Sequence, residues 1–254
     1  MTFGNELQQG TALIVGASQG IGLGFTRHLL SDNRVAQVYA TYRNPATAAD
    51  LLALRDSPKL HCLRLDATDE TDIAQAVLAM QAHSQSLDLV INCVGILHEG
   101  DIQPEKSLRQ IEATRLLQYF QVNSIPTALL AKHLQPLLKK SDRSLFTTIS
   151  AKIGSIEDNR LGGWYGYRAS KAALNMLLKT ISIEYSRKNP NTIVVALHPG
   201  TTDTQLSQPF QRNVPPAKLF SVDRTVTQLL TVLYGLTQAD SGKFYSWDGS
   251  QLPW

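Results

Sequence analysis

This sequence predicts an α/β fold: a doubly wound, seven-stranded parallel sheet with helices on both faces. Three observations support it. Short β-branched apolar runs alternate with segments of helical period along nearly the whole 254 residues, the signature of strand–helix units. Apolar residues make up 43% of the chain, enough at this length to cover both faces of such a sheet. The first apolar run stops at a glycine-rich turn, GASQGIG, residues 16–22.

The elements follow in order. TALIV (11–15) is the first strand, and residues 21–30 carry the first helical period. VAQVYATY (35–42) is the second strand, followed by a helix in PATAADLLALRD (45–56). KLHCLRL (59–65) precedes a helix over 69–84, and LDLVINCVG (87–95) precedes one long helical stretch over 111–140. SLFTTIS (144–150) is the fifth strand, with a helix opening at WYGYRASK (164–171) as its successor. NTIVVALH (191–198), a helix over 223–236 and KFYSW (243–247) complete the set. Neither a repeat nor a linker divides the chain, so residues 1–254 are expected to form one domain. Right-handed crossovers place any ligand beyond the carboxyl ends of the strands. Two long connections, 151–163 and 199–220, leave strands at that edge and are expected to form substrate walls, with Leu161, Trp164, Leu206 and Phe210 as apolar candidates.

Composition excludes several functions. The balance of 24 Lys+Arg against 21 Asp+Glu, with no basic stripe, argues against nucleic acid as a partner. No segment approaches the ~20 apolar residues that cross a bilayer, and the first ten residues lack a basic start followed by an apolar run. A soluble, cytoplasmic protein without a membrane partner is expected. Six histidines occur without HExxH or CxxC companions, so no metal is expected; Cys62 and Cys93 lie within strands and read as packed thiols.

The turn GASQGIG carries a chemical expectation. A glycine at the strand end allows a turn that a Cβ would obstruct, and glycines at the helix start let backbone N–H groups approach a pyrophosphate at the positive end of the helix dipole. Packing can also demand such glycines. A carboxylate ending the second strand would select NAD, but the strand ends ATYRN, where Arg43 can meet a 2′-phosphate with its planar fork. NADP(H) is therefore expected over NAD(H), unless Arg43 is merely solvated. Tyr167 and Lys171 lie one helical turn apart with small residues between them. An ammonium there would lower the phenol's pKa and suit it to general acid work near neutrality. Tyr165, with Ala169 four positions on, reads as a pocket wall or packed ring, as does Trp164.

With GASQGIG, LDAT (65–68), INCVG (91–95) and YRASK (167–171) in this order on these elements, the chain resembles the short-chain dehydrogenase/reductase family over essentially its whole length. The closing YSWDGSQLPW resembles the tail of its C-factor-like subgroup. The resemblance implies a Rossmann fold and reversible hydride transfer between a nicotinamide and a carbonyl or secondary alcohol. It implies a catalytic tetrad of Asn123, Ser150, Tyr167 and Lys171, with Asn123 holding a relay water. It assigns the cofactor to Gly16, Ser18, Gln19, Gly20, Ile21 and Gly22 of the turn, to Arg43, to Asp66 and Ala67, to Asn92 and Gly95, to Tyr167 and Lys171, and to Pro199, Thr202 and Thr204. Asp66 alternatively suits a helix N-cap. Val15, Cys93 and Val94 depart from the family pattern and remove hydrogen bonds that brace the sheet edge. The resemblance also implies a homodimer or homotetramer through the helices of 111–140 and 164–187. The alternative function is a dinucleotide-binding regulatory protein with little turnover, against which the intact tetrad argues. An epimerase or dehydratase of nucleotide sugars is disfavoured, because little chain follows the seventh strand.

Overall fold

The computed structural model describes residues 10–254. Its strands and helices run β1 (Gly10–Val15), α1 (Gly20–Ser31), β2 (Val35–Tyr42), α2 (Ala49–Leu52), β3 (Leu60–Arg64), α3 (Glu70–Gln81), β4 (Leu89–Asn92), α4 (Ala113–Asn123) and α5 (Ile125–Leu138). They continue with β5 (Ser144–Ile149), α6 (Tyr165–Lys188), β6 (Thr192–His198), β7 (Thr201–Thr202), β8 (Leu219–Phe220), α7 (Val222–Gly235) and β9 (Lys243–Ser246). The expected seven strands form one parallel sheet in the order β3-β2-β1-β4-β5-β6-β9. The two-residue strands β7 and β8 pair separately, inside the long connection that follows β6.

Alternation along each strand divides the core into two layers. In β1, Ala12 and Ile14 pack beneath α1 and α7 with Phe25, Leu29, Leu229 and Leu233. Leu13 and Val15 point the other way, into a layer formed with α3, α5 and α6 by Ile73, Leu134, Phe146 and Leu174. Strand order reverses between β1 and β4, which opens a crevice at their carboxyl ends. The turns carrying Gly16–Gly22 and Asn92–Gly95 border it.

Two helical expectations are corrected. The segment 45–56 forms only a 3₁₀ turn over Pro45–Thr47 and the single turn of α2. Leu51 is the one buried side chain of α2, and a helix this short does not persist without a packed stripe. The stretch 111–140 is two helices, broken at Ser124 (φ −119°, ψ −57°). Pro126 has no N–H for the carbonyl four residues earlier, and the Ser124 hydroxyl donates instead to the Ser170 carbonyl at 2.7 Å. The break leaves Asn123 as the last residue of α4, facing α6.

Candidate active site

The glycine turn is built by close approach. Gly16 (φ +79°) and Gly20 (φ +54°) adopt left-handed backbone. A Cβ on Gly22 would lie 2.1 Å from the Gly16 carbonyl oxygen, so only glycine closes this turn. The brace that Val15 cannot supply comes from β2, where the Thr41 hydroxyl accepts from the Gly16 N–H at 3.1 Å. Helix α1 starts at Gly20 with no side-chain cap and no acidic residue in its first turn, which leaves its positive end open to an anion. Ser18 and Ile21 are half-buried and Gln19 is exposed at this end. Thr204 reaches over from the connection after β6, its methyl 3.3 Å from the place of a Gly20 Cβ. Thr202 is buried and shares a hydrogen bond with Thr225 of α7 at 2.8 Å, while the Pro199 carbonyl accepts from the Thr202 hydroxyl at 3.4 Å. Pro199 and Thr202 therefore hold this connection in place, and Thr204 is the one beside the glycine turn.

Along the other side of the crevice, Arg43 pairs with Glu99 at 3.0 Å, both side chains about half exposed. Asp66 is not the cap of α3: that is Asp69, which accepts from the N–H groups of Thr71 and Asp72. Asp66 accepts from both the amide and the hydroxyl of Thr68, and these bonds with the charges of Arg43 and Arg64 outweigh its partial burial and lower its pKa. Ala67 is buried beside it. The Asn92 amide donates to Thr127 at 3.1 Å and its oxygen accepts from the Val94 N–H, fixing the chain that leads to Gly95.

Ser150, Asn123, Tyr167 and Lys171 converge at the carboxyl ends of β4 and β5, all buried. The Lys171 ammonium donates to the Ile149 carbonyl at 3.0 Å and lies 5.9 Å from the centre of the Tyr167 ring. Burial pulls its pKa down to about 8, against a small opposing influence from Cys93. Burial likewise drives the Cys93 thiol well above its usual range, and its side chain packs, partly buried, against the core layer beneath α1 and α7. The Tyr167 phenol is likewise pushed above the usual tyrosine range, chiefly by burial and further by Tyr119. The net direction is opposite to the lowering expected from Lys171, because desolvation dominates at the phenol.

The Asn123 oxygen accepts from the Ile96 N–H at 2.7 Å, and its nitrogen donates to the Ile96 carbonyl and the Ser170 hydroxyl, each at 3.0 Å. It clamps the chain after β4 onto α6, with both amide protons used and one of the oxygen's two acceptor positions taken. Ser150 donates to the Asn175 side-chain oxygen at 2.6 Å. The walls around Tyr167 are aromatic, with Trp164 edge-on to it at 6.3 Å and to Phe210 at 4.9 Å. Leu161 is 93% exposed and is not a wall in this conformation, and Leu206 is also exposed, at 36%.

Two residues of this site escaped the sequence reading. Asn175 is one. Glu105 is the other, a buried carboxylate from the connection after β4 that accepts from the Gly166 N–H at 3.0 Å. Trp164 precedes α6 in left-handed backbone (φ 52°), uncommon for a bulky residue, and gives the helix no side-chain cap. Glu105 supplies the cap from outside, carboxylate against helix N-terminus, and its carbonyl accepts from the Trp164 N–H. Gly166 is required here, since a Cβ would meet Tyr119 at 2.4 Å. Among the described residues no cluster of His, Cys, Asp or Glu could hold a metal, and no helix is long and apolar enough to cross a membrane.

The chain is similar to known proteins over most of its length. Residues 10–215 match the family model described as short chain dehydrogenase. Short-chain dehydrogenase RED3 of Pyricularia oryzae is 30% identical over 253 residues, 96% of this chain and 98% of that protein. The NADPH-bound carbonyl reductase from chicken fatty liver superposes with a TM-score of 0.86 at 31% identity, covering 98% of this chain and 96% of that one. C-signal of Myxococcus xanthus is 28% identical over 148 residues, 58% of this chain and 84% of that protein.

The capping geometry makes a testable demand. Glu105→Ala removes the external cap of α6 and is expected to lower stability by about 1–2 kcal/mol, read as the shift in the chemical-denaturation midpoint. An unchanged midpoint would mean that Trp164 and the two preceding glycines hold the helix start unaided.

Proposed function

This chain belongs to the short-chain dehydrogenase family, and from that premise we propose that it is an NADPH-dependent reductase of small carbonyl compounds acting through Ser150, Tyr167 and Lys171. The observation that carries the reading is the buried pair on one face of α6, Lys171 beside Tyr167, set at the same strand edge as an uncapped helix start and a glycine turn. The relatives matched over nearly their whole length support turnover rather than regulation, since one is named a dehydrogenase and the other a reductase.

The crevice suits a dinucleotide on its own geometry. A Cβ at position 95 would come within 3.3 Å of both the Asn123 amide oxygen and the Lys171 nitrogen. Glycine there keeps a slot open above the lysine, as Gly16 and Gly22 do for the turn. We assign Gly16, Ser18, Gln19, Gly20, Ile21, Gly22 and Thr204 to the pyrophosphate. Asp66, Ala67, Asn92 and Gly95 take the adenosine end, Arg43 the 2′-phosphate, and Lys171 the ribose beside the nicotinamide. The nicotinamide, when bound, supplies the hydride.

The chain's own residues handle the oxygen and the proton. Tyr167 donates the proton to the substrate oxygen as negative charge develops there, and Ser150 gives that oxygen a second hydrogen bond, so both interactions strengthen toward the transition state. Lys171 supplies positive charge inside a dry site, where it acts more strongly than in water. Asn123 is a positioning residue that locks α6 to the chain after β4. Trp164 and Phe210 exclude water from one side.

Three outcomes follow. Tyr167→Phe abolishes loss of NADPH absorbance with a carbonyl panel while NADPH affinity stays within a few-fold; retained turnover removes Tyr167 from the mechanism. Because the ammonium is lost as pH rises through about 8, kcat/KM for carbonyl reduction declines over that interval, and a flat profile there would separate Lys171's charge from catalysis. Arg43→Ala shifts the NADPH-to-NADH preference toward NADH; an unchanged ratio would show that the 2′-phosphate is read elsewhere.

A further inference from the structure

The hydroxyl of Ser150 has one proton, and two partners require it. Under the reading above, Ser150 donates to the substrate oxygen. In the structure it donates to Asn175 at 2.6 Å, and a serine so engaged can only accept from a second partner. Asn175 lies on α6 four residues beyond Lys171 and eight beyond Tyr167, on the same helix face. It is 3% exposed, and its amide nitrogen is buried without a hydrogen-bond partner. A buried, unpaired N–H group is a costly arrangement. Turning the amide about its last bond exchanges oxygen and nitrogen at nearly the same positions. The nitrogen then donates to the Ser150 oxygen, the serine's proton is freed to face the crevice, and the orphan left behind is a carbonyl oxygen, the less costly kind. The contact need lengthen only by a few tenths of an ångström to reach ordinary N–H···O distance.

We propose that Asn175 is a positioning residue that donates an N–H to Ser150 and thereby aims the serine's only proton at the substrate oxygen. The inference rests on the assignment of Ser150 to that oxygen. It places on α6 a third functional position after Tyr167 and Lys171, and it makes the direction of one hydrogen bond, rather than the presence of the serine alone, the determinant of its use. Asn175 is buried and its side chain bonds to Ser150, so it acts through the serine.

The test uses purified protein, a carbonyl substrate that it turns over and NADPH. Asn175→Leu keeps the branched shape, at a larger volume, and removes the donor; kcat is expected to fall about tenfold or more, with NADPH Kd close to wild type. Ser150→Ala should fall at least as far, and adding Asn175→Leu to it should cost nothing further, because the asparagine acts only through the serine. Asn175→Asp is isosteric but donates only when protonated, so its kcat relative to wild type rises as pH falls. That ratio cancels titration of Lys171, Tyr167 and Cys93 common to both proteins.

Unchanged kcat in Asn175→Leu overturns the proposal, as does an equal additional loss in the Ser150→Ala background, which would assign Asn175 to packing. A ratio for Asn175→Asp that is flat with pH also overturns it. Full activity in Ser150→Ala instead refutes the serine's role in the proposed function, and the present inference falls with it. If Asn175→Leu does not fold, the Asn175→Asp profile decides alone.

Discussion

Burying the ammonium of Lys171 is the constraint on which this site depends. An ionised amine taken from water must be repaid by close polar contacts or surrender its charge, and here both happen in part: Ile149 accepts from it at 3.0 Å, and its pKa falls to about 8. Space for the side chain comes from two glycines on different connections. A Cβ at position 95 would come 3.3 Å from the lysine nitrogen, and one at position 154 would meet the Lys171 Cβ at 2.7 Å. Gly95 follows β4 and Gly154 follows β5, so the carboxyl ends of two neighbouring strands are shaped around one residue of α6.

The placement of α6 must then be accurate, and bonds at its start and along its flank enforce this. At its N-terminus Glu105 stands in for the missing cap, over a Trp164 whose left-handed backbone costs on the order of 1–3 kcal/mol. Its ring recovers part of that against Phe210 and Tyr167. One turn further, Ser170 receives a bond from Asn123, and its carbonyl accepts from Ser124 at the break between α4 and α5. The break therefore has a structural use: a continuous helix over 111–140 would present neither Asn123 nor Ser124 to α6 in this way.

The sheet, its parallel order and the convergence of Ser150, Asn123, Tyr167 and Lys171 were legible because they rest on periodicity and on short local motifs. YRASK encodes a face of a helix, and GASQGIG encodes a turn that admits no Cβ at Gly22. What escaped depends on contacts distant in sequence. Glu105 is 61 residues from the amide that it caps, and an acidic residue in a loop carries no local sign of a remote helix start. Asn175 is 25 residues from Ser150; its four-residue spacing from Lys171 was visible, but its partner becomes evident only once β5 lies beside α6. The length of the helix after β2 was misjudged for the related reason that its apolar period has almost no core to pack against.

The two pKa displacements bear on the protonation state in which the site rests. A phenol lowered by a neighbouring ammonium would rest partly as phenolate, ready to remove a proton from an alcohol. In this chain burial raises Tyr167 and lowers Lys171. Near neutrality the phenol therefore holds its proton while the lysine, with a pKa about one unit above neutrality, remains mostly charged. Under the proposed function, that is the protonation state in which a carbonyl reduction would begin, with the proton on the group proposed to donate it and positive charge beside the ring that would receive the negative charge. Both displacements come from desolvation, and so from the aromatic enclosure of Tyr167 by Trp164 and Tyr119, with Phe210 behind Trp164, as much as from the two titrating groups themselves.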